Sequence, residues 1–500
     1  MRNAHSTPDI RAAERALMAL VPDGALMQRA AAGLASACVR LLGRVYGSTV
    51  VVLAGTGDNG GDALYAGALL ARRGAAVTAI LTGVKWHDAG ARALTRSGGR
   101  LLAADDPGTG QAIAAADLII DGILGIGGHG GLREPAATLA GLVGHAAESG
   151  AVVVAADLPS GVDADTGVVA GPAIQADVTV TFGTLKPGLL IDPGAGHAGA
   201  VDLIDIGLAP HLAAPQAAAL QAADVAALLR RPGAESNKYR RGVLGVLAGS
   251  ERYTGAAVLS VGGAIRGGAG MVRLVCARPA ADVVRQHWPE AVITVPDPAD
   301  PAAAVQAAGR VQAWVAGPGL GTGDEAAALI AAVLATSLPV LIDADGLTVL
   351  AGRRDLLSRP AGAPTLITPH TGELARLLNA NQADIEAHRL DYARRAAAEL
   401  GVTVLLKGST TVIATPDSAE PVLVNPTGTS WLATAGSGDV LSGLAGALLA
   451  QGVVPVQSAA AAAAYLHGLA AHLAARDAPI AAADLLTALP DAVRVVHAPG

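Results

Sequence analysis

Thr49-Val-Val-Val-Leu-Ala-Gly-Thr-Gly-Asp-Asn-Gly-Gly-Asp62 passes from a β-branched run into a turn of four glycines, and Ala-rich helical sequence follows it. A glycine turn between strand and helix lets backbone N–H groups approach an anion at the positively polarised helix start, so the segment predicts a phosphate or nucleotide loop. Gly55, Gly57 and Gly60 also spell the dinucleotide fingerprint. The second strand, however, ends Leu81-Thr82-Gly83-Val84 with no acid for a ribose diol, which weakens the reading as a hydride-transferring dehydrogenase. A tight turn kept for geometry is the plainer alternative, but Asp58, Asn59 and Asp62 make the loop more polar than a turn requires.

Working outward, short β-branched runs alternate with Ala-rich stretches: 49–54, 77–82, 117–121, 151–157, 177–182 and 200–205. That alternation predicts an α/β fold with a parallel, doubly wound sheet. From Gly207 to Gly242 the pattern lapses into Pro210, Pro215, Pro232 and the polar cluster Glu235-Ser-Asn-Lys238, which places a boundary between a domain 1–212 and a domain 213–500. A second α/β series begins with runs at 243–248, 271–276, 313–316, 340–343, 365–368 and 402–407.

Three loops of the first domain should meet at the carboxyl edge of its sheet: the glycine turn, Asp121-Gly-Ile-Leu-Gly-Ile-Gly-Gly-His-Gly-Gly131, and the loop opening Asp157-Leu-Pro-Ser-Gly161. They gather Asn59, Asp121 and Ser160 as hard oxygen ligands, which suit a monovalent or alkaline-earth cation better than zinc. Asp157 is either a loop cap or a positioned acid/base, and Lys186 either screens phosphates or pairs with a surface carboxylate.

In the second domain, Ala433-Thr-Ala-Gly-Ser-Gly-Asp-Val-Leu-Ser-Gly443 predicts an anion hole of backbone amides opening an apolar helix. Asp439 sits at that helix start, where the dipole is expected to keep it ionised and ready to accept a proton from a hydroxyl; capping is the plainer role. Gly249–Ala257, Gly317–Gly321, Asp343–Leu347, Thr368–Glu373 and Lys407–Thr411 would line one cleft. Asp343 and Asp345 are either water-mediated Mg²⁺ partners or turn residues, and His370 either orients a ligand or is structural. No Gly-x-x-x-x-Gly-Lys-Ser/Thr occurs, so P-loop chemistry is excluded.

Composition narrows the function further. A formal charge of −7, with no basic run interleaved with aromatics, argues against nucleic-acid binding. Two distant cysteines, Cys38 and Cys276, give neither a disulfide framework nor a zinc site and fit a reducing cytoplasm. The most apolar stretch, 458–475, is mostly Ala and carries His467 and His472, so it reads as a buried helix rather than a membrane span; residues 1–20 lack a signal-peptide core. Ala-rich helices make a homo-oligomer the expectation.

The Gly-rich loop ending Asn59-Gly-Gly-Asp62, the Asp157-x-Pro-Ser-Gly161 loop, the Glu14 helix and Gly24-Ala-Leu-Met27 resemble the NAD(P)H-hydrate epimerase domain. The resemblance implies a Rossmann-like fold and K⁺ held by Asn59, Asp121 and Ser160. It also implies substrate contacts at Asp58, Asn59, Gly60, Gly61 and Asp62, and at Gly125, Ile126, Gly127, Gly128, His129, Gly130 and Gly131, with Asp157 as a substrate-binding acid/base. The sequence departs from the family pattern at Asp58, where Asn is usual, and at Ala63, where Gly is usual; the added charge at 58 bears on phosphate affinity and not on the fold.

The motifs from Asp224 onward resemble the ribokinase-like ADP- or ATP-dependent NAD(P)H-hydrate dehydratase. That resemblance implies hydrate contacts at Ala256, Gly319, His370 and Asp439, an adenine nucleotide held by Lys407, Gly408, Ser409, Thr410, Thr411 and Gly438, and Mg²⁺, with Asp439 catalytic. The implied function is epimerisation of R and S NADHX or NADPHX followed by dehydration of the S form. Phosphorylating the substrate hydroxyl would replace hydroxide, a poor leaving group, by phosphate. Two rivals remain open: a ribokinase-like small-molecule kinase, whose phosphorylated product would be stable, and a first domain that only binds a nucleotide or partner protein.

Overall fold

The computed structural model describes residues 1–359 and 362–498. The chain forms two compact units, one of Asn3–Ala217 and one of Ala218–Gly500 joined by Met1–Arg2. The Met1 amino group lies 2.7 Å from the Asp224 carboxylate of that second unit.

In the unit Asn3–Ala217, seven parallel strands lie in the spatial order Arg100–Ala103, Ala76–Leu81, Thr49–Ala54, Leu118–Gly122, Val152–Ala156, Val178–Phe182 and Ala200–Ile204. Alternate residues of Thr49–Ala54 enter two different cores. Val50, Val52 and Ala54 join the cluster built with the helices Thr7–Met18, Ala25–Leu42 and Asp58–Ala71, whereas Val51 and Leu53 join the one built with Ala136–Glu148. Helices therefore cover both faces, as doubly wound sheets require. The order reverses between Thr49–Ala54 and Leu118–Gly122, the kind of switch point at which doubly wound sheets place their ligands.

The unit Ala218–Gly500 contains a larger sheet running Val292–Thr294, Met271–Val275, Val243–Leu247, Ala313–Ala316, Val340–Ile342, Thr365–Ile367, Thr403–Leu406, Thr411–Ala414 and Val422–Asn425. Thr411–Ala414 runs antiparallel to both neighbours, and the remaining pairings are parallel. The antiparallel hairpin was not anticipated, because Lys407–Thr411 reads in sequence as a continuous binding loop, whereas Thr411 already begins a strand. Here the switch lies between Val243–Leu247 and Ala313–Ala316.

The helices Thr254–Arg266 and Ser437–Gln451 pack at backbone distance over this sheet. A Cβ on Gly443 would sit 2.0 Å from Ser260 O, and one on Gly263 would sit 2.3 Å from Val440 O. The Ala-rich stretch is the helix Val456–Ala475, largely buried in the same core. Among the described residues no helix is long and apolar enough to cross a membrane.

Candidate active site

In the unit Asn3–Ala217 the glycine turn works by two different means. Gly55 and Gly60 allow backbone to touch backbone: a Cβ on Gly55 would lie 1.8 Å from Ile123 O, and one on Gly60 would lie 2.3 Å from Gly55 O. Gly57, the N-cap of Asp58–Ala71, faces open space instead. Ala63, unusual in sequence, is buried with its methyl toward Gly122, which has no side chain to oppose it.

Asn59 is in the first turn of the helix Asp58–Ala71, Asp121 is next to last in the strand Leu118–Gly122, and Ser160 is in the loop after Val152–Ala156. Asp121 is fully buried, and its carboxylate accepts from Ser160 Oγ at 2.6 Å, Ser160 N at 2.8 Å and Ile123 N at 3.2 Å. Burial pushes its carboxyl up to about 6 against the lowering effect of those bonds. Leu124 N donates to Ser160 Oγ at 2.9 Å, which ties the second loop to the third. The Asn59 amide lies against Gly125, and its buried Nδ2 has no partner. The carboxylate, the hydroxyl and the Asn59 Oδ1 are hard oxygens of the kind a monovalent cation takes, whereas the unpartnered Asn59 Nδ2 is a donor and ligates none. Among the described residues no three His, Cys, Asp or Glu side chains converge on a metal position.

Asp157 is held in a left-handed conformation at φ 66°, a region that costs a non-glycine residue energy and is found disproportionately at functional sites. Its Oδ1 pairs with Lys186 Nζ and also receives Phe182 N at 3.3 Å. Lys186 is not a surface cation: at 1% exposure it is buried, and it further donates to Thr181 Oγ1 at 2.9 Å and Phe182 O at 3.2 Å. Around this pair stand Glu14, Asp58 and Asp62. Burial, then the charges of Asp157, Asp58 and Glu14, raises Asp62 well above the usual carboxylate range, and burial followed by Asp157 raises Glu14.

The loop 125–131 turns on Gly128 N to Gly125 O at 2.9 Å, with Gly130 at φ 74°. Thr7 Oγ1 reaches Ile126 O at 3.5 Å, and His129 Nδ1 lies 3.3 Å from Asp163 Oδ2. Gly131 packs against the Gly171 backbone. Arg11, which no sequence motif marked, sets its guanidinium 3.0 Å from where a Cβ on Gly127 would be. It is the exposed cation of this loop, brought there by the helix Thr7–Met18.

In the unit Ala218–Gly500, Asp439 lies in the first turn of Ser437–Gln451 behind the left-handed N-cap Gly436. The dipole does not set its charge. Burial, then Asp343, pushes its carboxyl up to about 7, with Lys407 pulling down and Asp345 pushing up. Lys407 Nζ donates to Asp343 Oδ1 at 2.7 Å and lies 3.7 Å from Glu373 Oε2, while Ser442 Oγ donates to Asp343 Oδ2 at 2.6 Å. A Cβ on Gly438 would be 3.5 Å from Lys407 Nζ, so the helix start and the lysine share one space. Asp345 accepts Gly321 N at 2.9 Å.

Ala256 and Gly319 meet directly, since a Cβ on Gly319, at φ 57°, would be 2.6 Å from Ala256 Cβ. His370 is exposed; its Nδ1 caps Thr371–Leu378 by accepting Gly372 N at 3.0 Å, and its own N–H donates to Glu373 Oε2 at 2.8 Å. The turn Gly408, Ser409, Thr410 is held by buried Arg389, which donates to Lys407 O at 2.8 Å and Thr410 O at 3.3 Å. His467, also unmarked by sequence, donates from Nε2 to Ser437 O at 2.9 Å, and burial lowers it to about 4, so it is neutral.

Each unit thus carries a carboxylate and its lysine at the carboxyl edge of a largely parallel sheet beside a glycine-opened helix, the arrangement of a two-site α/β enzyme. Residues 244–492 match the family described as NAD(P)H-hydrate dehydratase, and residues 23–188 match the YjeF-related protein N-terminus. The bifunctional NAD(P)H-hydrate repair enzyme Nnr of Mycobacterium tuberculosis is 50% identical over 465 residues, 92% of each chain. That of Mycobacterium leprae is 48% identical over 482 residues, 95% of each. The ADP/ATP-dependent NAD(P)H-hydrate dehydratase of Bacillus subtilis, co-crystallised with ATP and Mg²⁺, superposes with TM-score 0.50 at 32% identity over 55% of this chain and 97% of its own. The chain belongs to the bifunctional NAD(P)H-hydrate repair enzymes, with an epimerase unit followed by a ribokinase-like dehydratase unit.

Proposed function

We propose that Asp439 is the base of the dehydratase unit and Asp157 the acid/base of the epimerase unit. The observation that carries this reading is the Asp439 carboxyl, poised at about 7 at a helix N-terminus, where a general base works best near the operating pH. It takes the proton of the S-hydrate hydroxyl as that oxygen attacks the β-phosphoryl of ADP, which leaves AMP. Phosphate then departs while the ring carbon beside it loses a proton, restoring the double bond of NADH or NADPH. Lys407, Gly408, Ser409, Thr410, Thr411 and Gly438 hold the nucleotide, with the Gly438 amide and the Lys407 charge facing the phosphates. Ala256, Gly319 and His370 orient the hydrate. Mg²⁺ when bound neutralises phosphate charge; Asp345, with one oxygen committed to Gly321, suits a water-mediated contact to it.

In the epimerase unit, Asp157 moves the proton that accompanies water loss and re-addition at the hemiaminal carbon, and Lys186 fixes its orientation. The substrate phosphates lie along 58–62 and 125–131, where Arg11 offsets the acids Asp58 and Asp62. Asn59, Asp121 and Ser160 hold K⁺, which when bound supplies positive charge beside the diphosphate. Buried Cys38 and Cys276, their thiols pushed to about 12, suit a reducing cytoplasm, and the chain works as a homo-oligomer.

The test is incubation with mixed R and S NADHX, Mg²⁺, K⁺ and ADP, with regenerated NADH followed by absorbance. Consumption of both epimers with AMP release supports the assignment; loss of the S form alone removes the role given to Asp157. A stable phosphorylated product would return the kinase reading.

A further inference from the structure

A second cavity, of about 240 Å³, opens in the unit Ala218–Gly500 away from the catalytic groups. Arg230, Arg231, Arg240, Arg241, Arg266 and His497 line it, and no aspartate or glutamate does. In a chain of net charge −7 that concentration of guanidinium groups is out of keeping with the rest of the surface. Its floor is apolar, formed by Leu444, Leu466 and Val493. Low-dielectric walls under charges of one sign focus their field on an entering ion.

The arginines are not consumed by the protein. Arg241 donates to Gly268 O at 3.3 Å, Arg230 to Arg240 O at 3.3 Å, and Arg240 approaches Glu235 at 3.6 Å. Arg266 lies over the Trp288 ring at 5.8 Å. Among the described residues Arg230, Arg231, Arg241 and Arg266 form no ion pair, although each guanidinium offers five N–H donors in a fork matched to phosphate oxygens. One backbone carbonyl each for Arg230 and Arg241 leaves most of their N–H donors without a partner among the described residues.

The place is distinct from the catalytic cleft. Asp439 is in the first turn of Ser437–Gln451, and the cavity is lined by Leu444 and Gln451 of the same helix, about 7.5 and 18 Å further along it at ~1.5 Å per residue. Its volume falls below the roughly 300 Å³ at which pockets take drug-sized ligands, so a whole dinucleotide is too large.

We propose that this cavity is a second anion site, specific for a short oligophosphate, free or as the phosphate tail of a small ester. It is independent of the roles given to Asp439 and Asp157. Isothermal titration of the full chain with inorganic tripolyphosphate, with and without saturating ADP, tests it. Binding of one equivalent that persists with ADP present, weakens with added salt, and drops at least tenfold in the double variant R231Q/R241Q is expected. Circular dichroism melting of that variant should match the unaltered chain; if it does not, R266Q, whose side chain holds no backbone carbonyl, takes its place with the same tenfold loss expected. No binding, binding abolished by ADP, or undiminished binding in the folded variant would overturn the proposal.

Discussion

Two carboxylates, Asp439 and Asp157, carry the proposed chemistry at the residue scale. Asp439 is raised to about 7, so its active, ionised form is lost as pH falls. The dehydration kcat/KM should decline tenfold per pH unit below about 7, and Asp439→Asn should lower it about 10²–10⁴-fold. The same shift has a stability consequence. A carboxyl whose folded pKa lies above its unfolded value binds protons preferentially in the native state, so stability falls as pH rises from about 4 to about 7. Asp439→Asn removes that penalty, and urea unfolding at pH 8 should show the variant more stable by up to a few kcal/mol, at ~1.4 kcal/mol per tenfold change in proton affinity. The Asp157 carboxylate is paired with buried Lys186. Lys186→Met strands that charge and should cost about 3–5 kcal/mol in the epimerase unit. The double variant Asp157→Asn, Lys186→Met should recover much of it, a coupling that separate, additive roles would not give.

Glycines at the element scale divide by what surrounds them rather than by residue type. Gly443→Ala would drive a methyl to 2.0 Å from Ser260 O, backbone that cannot rotate away, and should lower the melting temperature by an amount equivalent to about 1–3 kcal/mol. Gly141, in the helix Ala136–Glu148 with nothing within 4 Å of a Cβ, is the control: Gly141→Ala should raise stability by about 0.5–1 kcal/mol. Scanning calorimetry of the two variants checks both signs. Strands such as Thr49–Ala54 and Val243–Leu247 were legible as apolar, buried runs between helical stretches, whereas the equally buried Thr411–Ala414 and Val422–Asn425 were missed, because an antiparallel hairpin breaks the strand–helix alternation being read. Arg100–Ala103 and Val292–Thr294 escaped, since edge strands are short and partly exposed and carry no such run.

For the whole molecule, the two sites should fail independently. Asp157→Asn should leave conversion of S-NADHX at its original rate while R-NADHX persists, and Asp439→Asn should abolish NADH recovery from both; chiral separation of residual substrate distinguishes them. The sequence by itself determined the two α/β units and the loops at their carboxyl edges, and it placed Asp157 and Asp439 in those loops as candidates, because alternation of buried strands with glycine turns is a local property of the chain. Only the tertiary structure decided that Lys186 is buried against Asp157, that Asp439 sits near 7 instead of being held ionised by its helix, and that Arg11, Arg389 and His467 stand against Gly127, the Lys407 and Thr410 carbonyls and Ser437. Charge state and ion pairing depend on burial and on groups tens to hundreds of residues away, and no local pattern records either.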